Sequence, residues 1–290
     1  MLGLLIVGLR NRELLDLAYI IFLSTLFSMS LLGWMDDRKD LSRKIRFGTQ
    51  IMLAAMIIYF VTGFSEFALP FTGTVHLGLF GVLIGIIWLT GVTNIYNFMD
   101  GIDGLSSVQA IGAGFGWSLY FYLSGEPVLF SMSFMVIGGV AAFLFFNWPP
   151  AKIFMGDVGS LFLGFLFGAL PFYATYYSSN VTLTEAIWVG ALLLWPFLFD
   201  GAFTIVRRYS NGENIFEGHR SHLYQRLHIQ GWSHKKITLL YSVFILISVV
   251  SAILFTVGSD LIQLITLSFL ISGSFGFAWT VSRLEDSNTA

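Results

Sequence analysis

Nine apolar stretches of spanning or near-spanning length fill most of this 290-residue chain, and a membrane helix bundle is the architecture that can hide them. They are Leu14–Met35, Phe47–Thr62, Leu77–Gly91, Leu105–Leu123, Val128–Phe146, Leu161–Tyr177, Leu183–Val206, Ile237–Val257 and Leu261–Val281. Leu2–Leu9 is an incomplete tenth. As a helix, Met1–Leu9 rises about 13 Å, against a hydrocarbon core of about 30 Å. Charged residues make up 11% of the chain, where soluble domains average about 25%. The expected fold is therefore all-α: a polytopic membrane bundle of nine full transmembrane helices plus an N-terminal partial one, as a single domain over residues 1–290. With no cysteine, disulfides and thiolate chemistry are excluded. A net charge of −2 makes no case for nucleic acid.

Lys and Arg set the orientation. Arg38, Lys39, Arg43, Lys44 and Arg46 follow the first full span. The longest polar segment, the His/Arg loop at 207–237, carries Arg207, Arg208, Arg220, Arg226, Lys235 and Lys236. Alternation puts both segments on one side, expected to be cytoplasmic. The opposite loops, Gly63–His76, Ser124–Pro127, Ser178–Thr182 and Gly258–Asp260, contain no Lys or Arg; Arg10 and Arg12 are the exception on that side. The same alternation gathers every polar cluster on the cytoplasmic side, and nothing in the choice of spans required it.

The clusters are four. "GWMDDRKD" ends a span with adjacent Asp36 and Asp37, which can hold a divalent cation, share a proton, or rest as interfacial acids neutralised by Arg38 and Lys39. "NIYNFMDGIDGL" presents Asn94, Asn97, Asp100 and Asp103 at three-residue spacing, suited to a nucleobase edge and a metal, or to a polar helix-to-helix seam. "FNWPPAKIFMGDVGS" offers Asn147, Phe154 and Asp157, the last near a helix start that favours an anion and can cap it. "EGHRSHLYQRLHIQGWSH" brings His219, Arg220, His222, Arg226 and His228, a set suited to a pyrophosphate or to a solvated basic loop. Asp200, near the inner end of its span, reads as a packing residue.

These motifs, in this order, resemble the polyprenyl-phosphate N-acetylhexosamine-1-phosphate transferases, also called glycosyltransferase family 4. The likeness runs from about Leu31 to Trp232 and is carried by "NxxNxxDGxDGL" and "FMGDVGSLFLG". "GHRSHLYQRL" resembles the branch that starts O-antigen and other surface glycans, and differs from the "HHH" form of the phospho-N-acetylmuramoyl-pentapeptide transferases of peptidoglycan synthesis. The resemblance implies Mg²⁺, or Mn²⁺ in its place, held by Asp157 with Asp100 and Asn97. It implies a uridine and metal site lined by Asn94, Asn97, Asp100, Asp103, Asn147 and Phe154. Asp36 and Asp37 would face the lipid phosphate, and His219, Arg220 and His222 the diphosphate or sugar. The partners implied are a UDP-N-acetylhexosamine, undecaprenyl phosphate and membrane lipids, in the bacterial cytoplasmic membrane; a homodimer is compatible with this. A greasy groove should open beside the cluster to admit the lipid. Family members carry a further helix and a basic, Gly/Pro-rich cytoplasmic loop before the point where this chain begins, so the natural reading frame is expected to extend upstream. An ion-coupled transporter, the rival class, predicts acids near the bilayer midplane and an inverted repeat; the sequence has its acids at one face and no convincing repeat.

Overall fold

The computed structural model describes residues 1–10, 16–62, 66–69, 73–214 and 220–289, with the backbone alone at 69 and 286–289. Helices carry the chain: α1 (Leu2–Arg10), α2 (Leu17–Lys39), α3 (Arg43–Phe60), α4 (Leu79–Phe98), α5 (Leu105–Leu123), α6 (Pro127–Asn147), α7 (Gly156–Tyr177), α8 (Leu183–Leu193), α9 (Trp195–Ser210), α10 (Leu223–Ile229), α11 (His234–Val257) and α12 (Asp260–Thr289). The expected all-α membrane bundle is thus observed. Six described helices are long and apolar enough to cross a bilayer unaided, namely α2, α4, α6, α7, α11 and α12. The pair α8 and α9 makes a seventh if counted as one broken span. Helices α3 and α5 occupy the places of two expected spans and fall outside that set. The reasons lie in their sequences: α3 opens on Arg43, Lys44 and Arg46, and α5 mixes serine, glutamine and glycine into its apolar run.

The expected straight span Leu183–Val206 is corrected to a break, with α8 and α9 meeting at 78°. Pro196 stands in the first turn of α9, where its missing N–H and ring prevent the α8 helix from running on. The expected loop Gly63–His76 also contains structure. Strands β1 (Glu66–Leu69) and β2 (Gly73–His76) pair antiparallel, with Glu66 opposite His76. This hairpin docks on α8, where Ala68 N donates to Thr184 Oγ1 at 3.1 Å and Trp188 Nε1 donates to Ala68 O at 3.3 Å.

Helix α7 is the axis of the bundle, apolar on all sides and buried along most of its length. Helices α2 and α4 both pack along it. Close approach of α2 is possible because Gly33 meets the α7 backbone: a Cβ there would lie 2.3 Å from the Asp157 carbonyl oxygen. The start of α7 is therefore clamped between the end of α2 and the end of α4.

Candidate active site

The chain leaves α2 through Asp40, whose left-handed conformation (φ 48°) stops the helix. Asp36 Oδ1 accepts the Leu41 amide at 2.8 Å, and Ser42 caps α3. This tight return brings Arg46, one turn into α3, back over the end of α2. Arg46 Nη1 lies 2.8 Å from Asp36 Oδ2. Its Nη2 donates to Asn97 Oδ1 at 3.3 Å and stands 3.7 Å from Asp157 Oδ2. Asn97 Nδ2 donates to Asp157 Oδ1 and to Ser160 Oγ, both at 2.8 Å. Asp37 spans the start of α7, accepting the Asp157 amide at 3.0 Å and the Val158 amide at 3.3 Å. Gly156, at φ 63°, admits this carboxylate, because a Cβ there would sit 2.8 Å from Asp37 Oδ2. The anion-binding helix start read from the sequence is real, and Asp37 occupies it.

Asp100 lies just past the end of α4 and is partly buried. Burial first, then the charges of Asp157 and Asp37, push its carboxyl up to about 7, with Ser106 pulling the other way. Asp36, Asp37, Asp100 and Asp157 thus form one acidic centre with Arg46 and Asn97 in it.

The other expected site residues fall around this centre. Asn94 Nδ2 donates to Gln50 Oε1 at 2.6 Å and to Thr90 O at 2.7 Å, so Asn94 forms the polar seam between α3 and α4. Asp103 Oδ2 accepts the Ala151 amide at 3.0 Å and lies 3.3 Å from His234 Nδ1. Asn147 Oδ1 accepts Gly104 N at 3.0 Å and Ser107 Oγ at 3.1 Å, while its Nδ2 donates to Ile153 O at 2.9 Å. Asp103 and Asn147 therefore stitch the start of α5 to the 148–155 loop and α11. Phe154 is 77% exposed on that loop. Arg220 is exposed. His222 is buried, with Nδ1 3.1 Å from Asp200 Oδ1. His219 lies outside the described residues. Asp200 is buried as the packing reading expects, and it also caps α10, accepting the Leu223 amide at 2.9 Å, the Tyr224 amide at 3.3 Å and the Tyr241 hydroxyl at 2.6 Å.

Reading for clusters missed Arg46, which counted there only as a charge that orients the chain. A signal was present: Arg46 and Gln50, four apart in α3, face Asn97 and Asn94, three apart in the antiparallel α4.

An apolar cavity of about 510 Å³ opens beside the α7 start, between α1, α6 and α7. Met155, Val158 and Gly159 line it on one side and Met135, Val140 and Phe143 on another. At the same end of the bundle Arg38 stacks on Trp34, Lys236 on Trp232 and Arg283 on Trp279, with cation-to-ring distances of 4.6, 3.5 and 5.2 Å. Such pairs suit a bilayer–water boundary.

Among the described residues no group of three or more His, Cys, Asp or Glu is arranged to hold a metal. Mg²⁺ takes one or two carboxylates and completes its octahedron with water and substrate phosphate. Burial raises the Asp100 carboxyl first, and the charges of Asp157 and Asp37 add to it, so carboxylates gather here. Two hard carboxylates and the Asn97 amide fit that ion, and they would hold it only as a partial set.

The model for glycosyl transferase family 4 matches residues 19–175, more than half of the chain. A probable undecaprenyl-phosphate N-acetylglucosaminyl 1-phosphate transferase of Bacillus subtilis is 35% identical over 84% of this chain and 68% of its own length. A phospho-N-acetylmuramoyl-pentapeptide-transferase of Streptococcus pneumoniae is 34% identical over 57% of this chain and 53% of its own. One from Listeria innocua is 28% identical over 83% and 75%. The chain thus spans about two thirds of the Bacillus relative and about half of the Streptococcus one. Matched across α2 to α7, the helices that build the acidic centre, the chain belongs to glycosyl transferase family 4.

Proposed function

We propose that this chain transfers an N-acetylhexosamine-1-phosphate unit from a UDP-sugar to undecaprenyl phosphate and releases UMP. The reaction would start a cell-surface glycan at the cytoplasmic face of a bacterial inner membrane, with residues 1–290 as one nine-span transferase domain. The observation that carries this reading is the acidic centre of Asp36, Asp37, Asp100 and Asp157, built on the helices over which the chain matches its family.

The acceptor is a phosphate monoester with a second pKa of about 6. At neutral pH it is largely dianionic and attacks without much help from a base. Its oxygen bonds to the sugar-bearing phosphorus as the bond to the UMP oxygen breaks, and UMP leaves with that electron pair. Repulsion between the two anions is the main barrier. Arg46 and the exposed Arg220 lower it by screening phosphate oxygens. Bound at Asp157, Asp100 and Asn97, Mg²⁺ would supply further charge neutralisation at the diphosphate. Asp37 is exposed and Asp36 buried against Arg46, so Asp37 is the acid that meets the lipid phosphate and Asp36 the one that aims Arg46.

The test is UMP release by purified protein with undecaprenyl phosphate, with and without Mg²⁺, from a panel of UDP-N-acetylglucosamine, other UDP-N-acetylhexosamines and UDP-N-acetylmuramoyl-pentapeptide. Release from an N-acetylhexosamine donor is expected. Release from the pentapeptide donor alone would move the chain to the peptidoglycan branch, and none from any would end the transferase reading.

A further inference from the structure

The seven-residue helix α10 is held at three points. At its start, Asp200 of α9 takes the Leu223 and Tyr224 amides. On its inner face Tyr224 is fully buried, and its hydroxyl donates to Phe98 O at 2.9 Å, two residues before Asp100. That hydroxyl fills the place a Cβ on Gly101 would take. The third point lies on α12, beyond the residues that the family model matches. Arg226, 4% exposed, clasps Glu285: Nε donates to Oε1 at 2.6 Å, and Nη2 donates to Oε2 and to Ser282 Oγ at 3.1 Å. Helix α10 therefore links α12 to the turn that carries Asp100.

Stability alone does not call for a charged pair here. Desolvating a guanidinium and a carboxylate cancels most of their attraction, and an apolar pair of similar volume would hold two helices together as firmly. A two-pronged Arg–carboxylate contact adds a single fixed geometry. Helix α12 needs one. It faces largely outward, and between it, α9 and α11 lies a cavity of about 210 Å³ lined by Phe199, Phe244 and Phe277. Ring contacts hold α12 there, Phe275 on Phe199 and Phe203 and Phe277 on Tyr241 and Phe244. Such apolar contacts are not directional, and polar ones add the register: Trp195 Nε1 to Ser274 Oγ at 2.9 Å midway, and the Arg226 clasp at the end.

We propose that Arg226 and Glu285 are positioning residues, a latch by which the C-terminal helix sets α10 and, through Tyr224, the Asp100 turn and the Arg220 segment. Their service to catalysis rests on the transferase reading above; the latch itself does not. The chain has no cysteine, so cysteines placed at exposed Lys152 and Ile229 carry spin labels without background. Distances between the labels are compared in three versions: the parent, the apolar pair Arg226→Met with Glu285→Leu, and the exchanged pair Arg226→Glu with Glu285→Arg. The apolar pair is expected to insert and melt like the parent, yet to broaden the distance distribution and raise the donor KM about tenfold, as a small misplacement of binding groups does. The exchanged pair should narrow the distribution again and recover most of the KM. Glu285→Gln, which keeps the packing, should act like the apolar pair and serves if that variant does not insert. An unchanged distribution in both disrupted forms overturns the latch, and a broadened one with unchanged KM overturns its role in catalysis. Should the parent release no UMP from any donor, the transferase reading fails while the distances still decide the latch.

Discussion

Asp157 and Asp200 are helix-borne carboxylates of one bundle, and their surroundings are opposite. Asp200 is alone among donors: His222 Nδ1, the Leu223 and Tyr224 amides, and the Thr204 and Tyr241 hydroxyls all converge on it. Asp157 stands in a crowd of its own kind, with Asp36, Asp37 and Asp100 about it and Arg46 as the basic side chain in ion-pair reach among the described residues. A buried carboxylate whose lone pairs are all spent holds structure together. Carboxylates crowded past what their partners neutralise raise each other's proton affinity and leave a place for a cation or a positively charged partner.

Four experiments press on this contrast. Asp157→Asn should cut UMP release by about two to three orders of magnitude, the scale for loss of a central electrostatic group, while the melting temperature in detergent stays near the parent's. Near-normal turnover at the same Mg²⁺ concentration would erase the distinction between the two centres. Asp200→Ala should do the reverse, costing about 3 kcal/mol of stability because several buried donors lose their acceptor at once. A thermal melt within error of the parent would show that Asp200 is no structural hub.

Arg220→Lys keeps the charge but loses the planar fork, and should slow transfer by about ten- to a hundredfold, the worth of one charge-assisted hydrogen bond. Full rate with lysine would make Arg220 a general basic charge. The smallest effect concerns Asp100. Its carboxyl lies near pH 7 in the fold against 3.8 ordinarily, so the folded state holds an extra proton between those values. Without a cation, the stability from this group falls as pH rises from about 4 to about 7 and is flat above. A cation must displace that proton, so the Mg²⁺ needed for half-maximal rate should drop about tenfold from pH 6 to pH 8. Asp100→Asn should abolish that dependence. An Mg²⁺ requirement that is constant with pH in the parent would remove Asp100 from the cation's surroundings.

Much of this was legible beforehand, unevenly. The helices stand where apolar runs stand, since burying or membrane-embedding a greasy face is a local demand on composition. Asn97, Asp100 and Asp157 announced themselves by motif. Asn147 and Asp103 did too, and the fold engages both Asn147 amide atoms and Asp103 Oδ2 with Gly104, Ser107, Ile153, Ala151 and His234. A motif marks polar residues kept together in the chain and is silent on which of them face the cavity. The hairpin at 66–76 has short, weakly patterned strands, and its docking depends on α8 more than a hundred residues away.

The order of apolar runs, the gathering of acids at one end and the family motifs were fixed by residue chemistry and spacing, which act within a helix turn or a membrane thickness. Which acid caps α7, which arginine enters the centre, and how α12 reaches α10 were decided only in three dimensions. Asp37 meets the Asp157 amide across 120 positions and Arg226 meets Glu285 across 59. Such pairings depend on helix rotation and depth, and a one-residue change of register turns a helical side chain by about 100°. No local rule of the sequence fixes that rotation; packing around Gly33 and along α7 does.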